Sequence, residues 1–394
     1  EGHRRGVTGE RVEMAAQQSV GKPAVLDAGG LAALTQALLA DGYTVVGPTV
    51  RGGSIVLDEL SSSDDLPWGW GVDAEAGHYR LRRRTDRAAF GHAVGPQSWK
   101  RFLSPPRTVL WRARRDEHGF LVEEPDGAAP RYALLGVRPC DLRAIAVQDR
   151  VLTGGRHVDT DYATRRAAAF VVAVECTEPA GTCFCASTGS GPGAGPGYDV
   201  ALTEVVQEED HWFLARAGSG AGGRLLARVP RRDASAADVA SARAAVEGAA
   251  TRMGRRLPTE GLRELFATHR EDPHWDEVGS RCLTCANCTL VCPTCFCTTV
   301  EDVTDLAGDV AERRRRWDSC FDLGFSYLHG DSVRSSNRSR YRHWISHKLG
   351  TWQDQFGELG CVGCGRCITW CPVGIDITAE AAALRDGGRK GGPA

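Results

Sequence analysis

Eight of the chain's fifteen cysteines fall into two runs with one spacing. The first is Cys282, Cys285, Cys288 and Cys292, closed by Pro293; the second is Cys361, Cys364, Cys367 and Cys371, closed by Pro372. Both read C-x2-C-x2-C-x3-C-P. Three thiolates at intervals of three wrap one tight loop around three irons of a cube. The fourth sits where the chain has moved away, helped by the proline, and reaches the other cube. The spacing therefore reads as two [4Fe–4S] clusters with crossed ligation: Cys282, Cys285, Cys288 and Cys371 for one, Cys361, Cys364, Cys367 and Cys292 for the other. Structural zinc would use two C-x2-C pairs set well apart.

Seven cysteines lie outside the runs. Cys140, Cys176, Cys183 and Cys185 share the first two thirds of the chain, and two readings stay open for them: ligands of a third iron–sulfur cluster, or buried free thiols. Cys295, Cys297 and Cys320 are three thiols where a cluster takes four, so they receive no ligand role. Arg366, inside the second run, is the candidate for electrostatic tuning, because a nearby cation favours the reduced form of an anionic cubane and raises its potential. The arginines at 313–316 and 334–342 read as tuning groups, a docking face or a solvated basic surface.

Elements must carry these residues. Leu31, Leu34, Leu38 and Leu39 mark a helix that Gly42 ends. Strands are expected over 43–50 and 54–60, an antiparallel pair over 109–113 and 120–123, and loops with short elements over 61–100. The apolar runs 132–137 and 170–174 flank a helix over 142–152. Strand, helix, strand implies a parallel α/β unit with Cys140 and Cys176 at the carboxyl ends of its strands, the edge where sites gather. Strands follow at 198–205 and 212–215, then an alanine-rich helix capped by Asp233 and ending near Met253, and a helix over 259–269. The expected organisation is an extension over 1–20, an α/β domain over 21–270, a dicluster ferredoxin-like α+β domain over 271–385 and a tail over 386–394. Between Cys292 and Cys361 lie 68 residues, a long insertion for a ferredoxin.

At 394 residues the chain can bury a sizeable core without metal, and a net charge of −2 singles out no nucleic-acid or membrane partner. Arg4-Arg5 precedes no apolar stretch, so no twin-arginine signal is expected, and no stretch approaches a membrane span. The thiols read as metal ligands in a reducing cytoplasm. No Gly-x-Gly-x-x-Gly follows a strand, no Walker loop is present, and no paired C-x2-C could hold nickel. No nucleophile constellation appears. The sequence carries electrons and shows no place for a substrate.

The motifs 136–141 (GVRPCD), Cys176-Thr177-x-Pro179 with Cys183-Phe184-Cys185, 292–297 (CPTCFC), 315–320 (RRWDSC) and 361–367 (CVGCGRC) together resemble the beta subunit of cytoplasmic sulfhydrogenase-type [NiFe] hydrogenases, a family shared with the electron-relay component of anaerobic sulfite reductases. The resemblance spans roughly 25–380. It implies a non-catalytic electron-transfer subunit of a soluble NAD(P)-linked complex, relaying electrons between a FAD/NAD(P)-binding diaphorase subunit and the small and large [NiFe] subunits. An alternative is the same relay toward a sirohaem sulfite reductase subunit. A third reading, from another class, is a nucleic-acid-binding protein with structural clusters, since Arg334, Arg338, Arg340, Tyr341, Arg342, Trp344 and Trp352 interleave cations and aromatics.

Overall fold

The computed structural model describes residues 21–123, 129–207 and 210–387. The expected extension over 1–20 and most of the expected tail lie outside the described residues. In chain order the strands are β1 (Ala24–Leu26), β2 (Thr44–Arg51), β3 (Ser54–Glu59), β4 (Trp70–Glu75), β5 (His78–Arg83), β6 (Arg107–Asp116), β7 (Gly119–Glu123), β8 (Tyr132–Val137), β9 (Phe170–Val174), β10 (Val200–Gln207), β11 (Asp210–Ala217), β12 (Arg232–Asp233), β13 (Thr298–Thr304) and β14 (Val310–Trp317). Eight form a mixed sheet in the order β12-β1-β11-β10-β9-β8-β2-β3.

The four central strands, β10-β9-β8-β2, are parallel. A parallel sheet is covered on both faces, which is why β9 is apolar and buried throughout. The helix Ala28–Ala40 lays Leu31, Leu34 and Leu38 into the core on one face. The helix Pro139–Thr153 sets Leu142 and Ile145 against Val171 and Ala201 on the other. This helix starts three residues earlier than the apolar pattern implies, because Pro139 occupies its first turn, where a missing N–H costs nothing. Cys140 therefore rides on the first helical turn, while Cys176 follows β9 directly. Both stand at the carboxyl edge of the parallel strands.

Three local expectations change. The alanine-rich helix runs Ala236–Thr251 and is capped by Ser235, whose side chain accepts from Asp238 N while Asp238 reaches back to the cap; Asp233 belongs to β12 instead. The next helix is only Leu262–Thr268, and a further one, His274–Arg281, leads into the first cysteine run. Within 61–100, β4 and β5 form an antiparallel hairpin.

The second sheet joins distant parts of the chain in the order β13-β14-β6-β7. The expected pair β6-β7 is present, but β14, from the insertion between the cysteine runs, pairs with β6 from Val310 opposite Arg114 to Arg316 opposite Arg107. Strands from either side of residue 270 thus share one hydrogen-bonded ladder.

Candidate iron–sulfur sites

The two cysteine runs fold into matching loops. In the first, Thr284 and Ala286 take the left-handed backbone conformation, with φ of 50° and 65°; at the equivalent positions of the second, Gly363 and Gly365 have φ of 61° and 75°. The left-handed residue turns an amide back toward sulfur: Thr284 N lies 3.4 Å from Cys282 Sγ, and Gly363 N lies 3.5 Å from Cys361 Sγ. Each loop then enters a four-residue helix that carries its third cysteine, Asn287–Leu290 and Arg366–Thr369. Amides aimed at sulfur stabilise a cluster's negative charge.

Cys282, Cys285, Cys288 and Cys371 line one cavity, together with Tyr341 and Trp344. The Tyr341 hydroxyl and the Trp344 indole N–H are buried without a hydrogen-bond partner among the described residues. A cluster's sulfides are acceptors of the kind these two orphaned donors require, so the residues present fit a cubane here. One rim of this site is open: Cys285 is exposed, as are Leu283, Leu290 and Val373 beside it.

Cys361, Cys364 and Cys367 all feel Cys292 as an electrostatic neighbour, which gathers the second set of four. Cys367 also neighbours Cys288, so the two sets adjoin. Burial pushes the Cys361 thiol up to about 12, so iron is what would strip its proton. Cys292 is the exception. A hydrogen bond with Cys295, working against burial, and then the Lys348 ammonium hold its thiol well below the usual range. Lys348 is 3% exposed, and its Nζ lies 3.3 Å from Cys292 Sγ, 3.1 Å from Thr294 Oγ1 and 3.0 Å from Gly360 O.

Arg366, the tuning candidate, is also buried, but it is half of an ion pair. Its two terminal nitrogens donate to Asp141 at 2.7 and 2.8 Å, and Nε donates to Gly95 O. Much of its charge is cancelled on the spot, whereas Lys348 meets no carboxylate among the described residues. Sequence reasoning missed Lys348 because nothing in a basic segment marks which member is buried.

The α/β domain brings its own thiols to the second loop. Cys140 and Cys185 pack in one buried cluster with Val362 and Cys364. Cys176 and Cys183 are electrostatic neighbours of Cys185, and Cys364 neighbours both Cys183 and Cys185. The loop Thr182–Cys185 lies directly on the second motif: Phe184 N donates to Gly363 O at 2.9 Å, and Ser190 Oγ donates to Val362 O at 2.6 Å. Burial pushes the Cys183 thiol up to about 12. Arg138 is buried beside Cys176, held by the carbonyls of Phe90 and His92.

The other arginines serve structure. Arg313, Arg314, Arg315 and Arg316 pair with Asp302, Glu312, Asp159 and Glu301 respectively. Arg340 donates to the carbonyls of Arg334, Phe321 and Ser335. Tyr341, Trp344 and Trp352 are core residues, 3%, 4% and 2% exposed, so they offer no bases a stacking face.

Among the described residues, no three His, Cys, Asp or Glu side chains converge on a point where one ion could sit. A cubane needs no such point, since each thiolate binds a different iron. Paired loops of this form, packed on an α/β sheet, define a dicluster iron–sulfur protein. Residues 281–375 match the 4Fe-4S dicluster domain family. Over 291 residues, 73% of this chain and 83% of the relative, the chain is 32% identical to sulfhydrogenase 2 subunit beta of Pyrococcus furiosus. The chain belongs to the family of sulfhydrogenase beta subunits, carries [4Fe–4S] clusters and has an iron–sulfur electron-transfer role. No solved structure matches it. Among the described residues, no helix is long and apolar enough to cross a membrane.

Proposed function

We propose that the chain relays single electrons through three clusters, between a flavin-bearing NAD(P) diaphorase subunit and the small and large subunits of a [NiFe] hydrogenase, in a cytoplasmic complex. The chain performs no bond chemistry. Its ligand sets are Cys140, Cys176, Cys183 and Cys185; then Cys361, Cys364, Cys367 and Cys292; then Cys282, Cys285, Cys288 and Cys371. Residues 21–270 supply the first set and residues 271–385 the other two.

The contiguity of the three thiol sets carries this reading. Cys364 packs against Cys140 and Cys185, and Cys367 neighbours Cys288. The order ends at an exposed rim, Cys285 with Leu283, Leu290 and Val373, where a redox partner can approach the last centre. The name of the Pyrococcus relative favours the hydrogenase complex over a sulfite reductase.

Anaerobic isolation of the native complex, with its chains identified by mass spectrometry, tests the partners. Nickel-site subunits are expected; a sirohaem subunit would move the same relay to sulfite reduction. Alone, the chain is expected to be reduced by dithionite and to be inert toward hydrogen, and hydrogen uptake by the isolated chain would refute the reading. Cys364→Ala should remove one cubane. Unchanged iron per chain in Cys183→Ala would remove the third cluster from the relay.

A further inference from the structure

Three thiols remain outside the relay, and they share surroundings. Cys295, Cys297 and Cys320 each have Lys348 as an electrostatic neighbour. Cys297 is a neighbour of Cys320, and Lys100 is a neighbour of both Cys295 and Cys297. The local fold explains the gathering. In Cys295-Phe296-Cys297 the middle side chain packs on Trp352 and Phe356, with ring centroids 5.4 and 6.3 Å away. In an extended segment, alternation then sends both thiols to the opposite side. The hairpin that follows pairs Thr298 with Trp317, and Asp318 N donates to Cys297 O at 2.8 Å. Cys320 is thereby returned to the segment from which the hairpin left.

The second observation is independent of the thiols. Lys100 and Lys348 are 7% and 3% exposed. Among the described residues neither ammonium meets a carboxylate; Lys100 Nζ has Cys295 O at 2.9 Å and the face of Trp317 at 3.8 Å. Burying an ammonium without a counter-charge costs several kcal/mol, roughly the penalty that drives such groups to pair. Two of them in one place call for a multiply charged anion. The second relay cluster meets part of that need through Cys292, but Lys100 adjoins the unassigned thiols.

We propose that Cys295, Cys297 and Cys320 hold a further iron–sulfur cluster of the three-thiolate kind, with Lys100 and Lys348 as its buried counter-charges. Asp318, an electrostatic neighbour of Cys297, is the oxygen donor available to a fourth iron. A zinc ion would need its ligands to converge on one point, which they do not among the described residues. The chain uses the same device twice: Thr182-Cys183-Phe184-Cys185 and Thr294-Cys295-Phe296-Cys297 are identical tetrapeptides, each laid beside a ligand loop.

The test is iron and acid-labile sulfide per chain, with EPR of the reduced protein, on the anaerobically purified full chain. Cys297→Ser and Cys320→Ser are each expected to lower iron by about three to four atoms and to leave the signals of the two ferredoxin-type clusters in place. Iron unchanged in both folded variants overturns the proposal. Should either serine variant fail to fold, Lys100→Met decides: it keeps every ligand, and one redox wave should move to lower potential. A redox titration identical to that of the parent overturns the proposal. Cys364→Ala separates this site from the relay, because its loss of iron bears only on the second ferredoxin-type cluster.

Discussion

At the scale of single residues, the sign of a buried charge depends on what it touches. Arg366 stood out in the sequence because it lies inside a cysteine run, yet Asp141 grips it at 2.7 and 2.8 Å and blunts its field. Lys348 lies thirteen residues before Cys361 and looks like one more cation in a basic segment. Burial opposes its charge, but Cys292, Cys295 and Cys361 outweigh that and hold the ammonium well above its ordinary value. A unit charge several ångströms from a cluster, at an effective dielectric of about 20, is worth roughly 2–3 kcal/mol, or on the order of 100 mV for one electron. Lys348→Met should therefore lower the potential of the cluster at Cys292, Cys361, Cys364 and Cys367 by about that much, read by EPR-monitored titration. Arg366→Met should disturb folding more than potential, because it strands Asp141 without a partner; a larger potential shift in Arg366→Met than in Lys348→Met would reverse this assignment. The eight ferredoxin-type cysteines were legible because their spacing is itself the geometry of a cube's corners. Lys348 was not, because burial is a property of the fold.

At the scale of elements, hydrophobic runs were the readable part. β8 and β9 are buried on both faces and so appear as uninterrupted apolar stretches, while β4 and β5 mix arginine and aspartate with apolar residues and gave no period. The cap at Ser235 was missed because Asp233 is an equally good capping residue two positions earlier, and only strand pairing of Asp233 with Ala24 decides between them. The cysteine loops add a constraint that spacing does not show. Gly363 has a positive φ, and a Cβ there would meet the backbone of Phe184 and Cys185 at 2.6 Å. Gly357 has a similar φ of 72° but open space around it. Gly357→Ala should cost about 1–2 kcal/mol, the left-handed penalty alone. Gly363→Ala should cost clearly more, since the loop bearing Cys183 and Cys185 must withdraw from the second motif, and iron per chain should fall with stability. Equal thermal shifts for the two variants would mean that this contact is not tight.

At the scale of the whole molecule, the α/β half and the cysteine-rich half are bound by more than contact. The sequence marks a change of character near residue 270, where a domain boundary would be drawn, but β14 is held by β6 along seven paired positions from Val310 to Arg316. Arg366 is neutralised by Asp141 from the other half, and Phe184 is buried in the same core cluster as Trp275, Ile368 and Leu384. Long-range pairing of this kind leaves no local trace, because each strand's own residues satisfy only one side of the ladder. A fragment of residues 271–387 would expose the free edge of β14, leave a cavity at Phe184 and strand a buried guanidinium, the last alone worth about 3–5 kcal/mol. That loss is comparable to a substantial part of an ordinary domain's stability, roughly 5–15 kcal/mol. The fragment is therefore expected to aggregate, or to retain far fewer than the roughly eight irons of a dicluster unit, when expressed anaerobically beside the full chain. A soluble, monomeric fragment with both cubane EPR signals intact would show instead that the cysteine-rich half folds by itself, and that its ladder to β6 is only a docking contact.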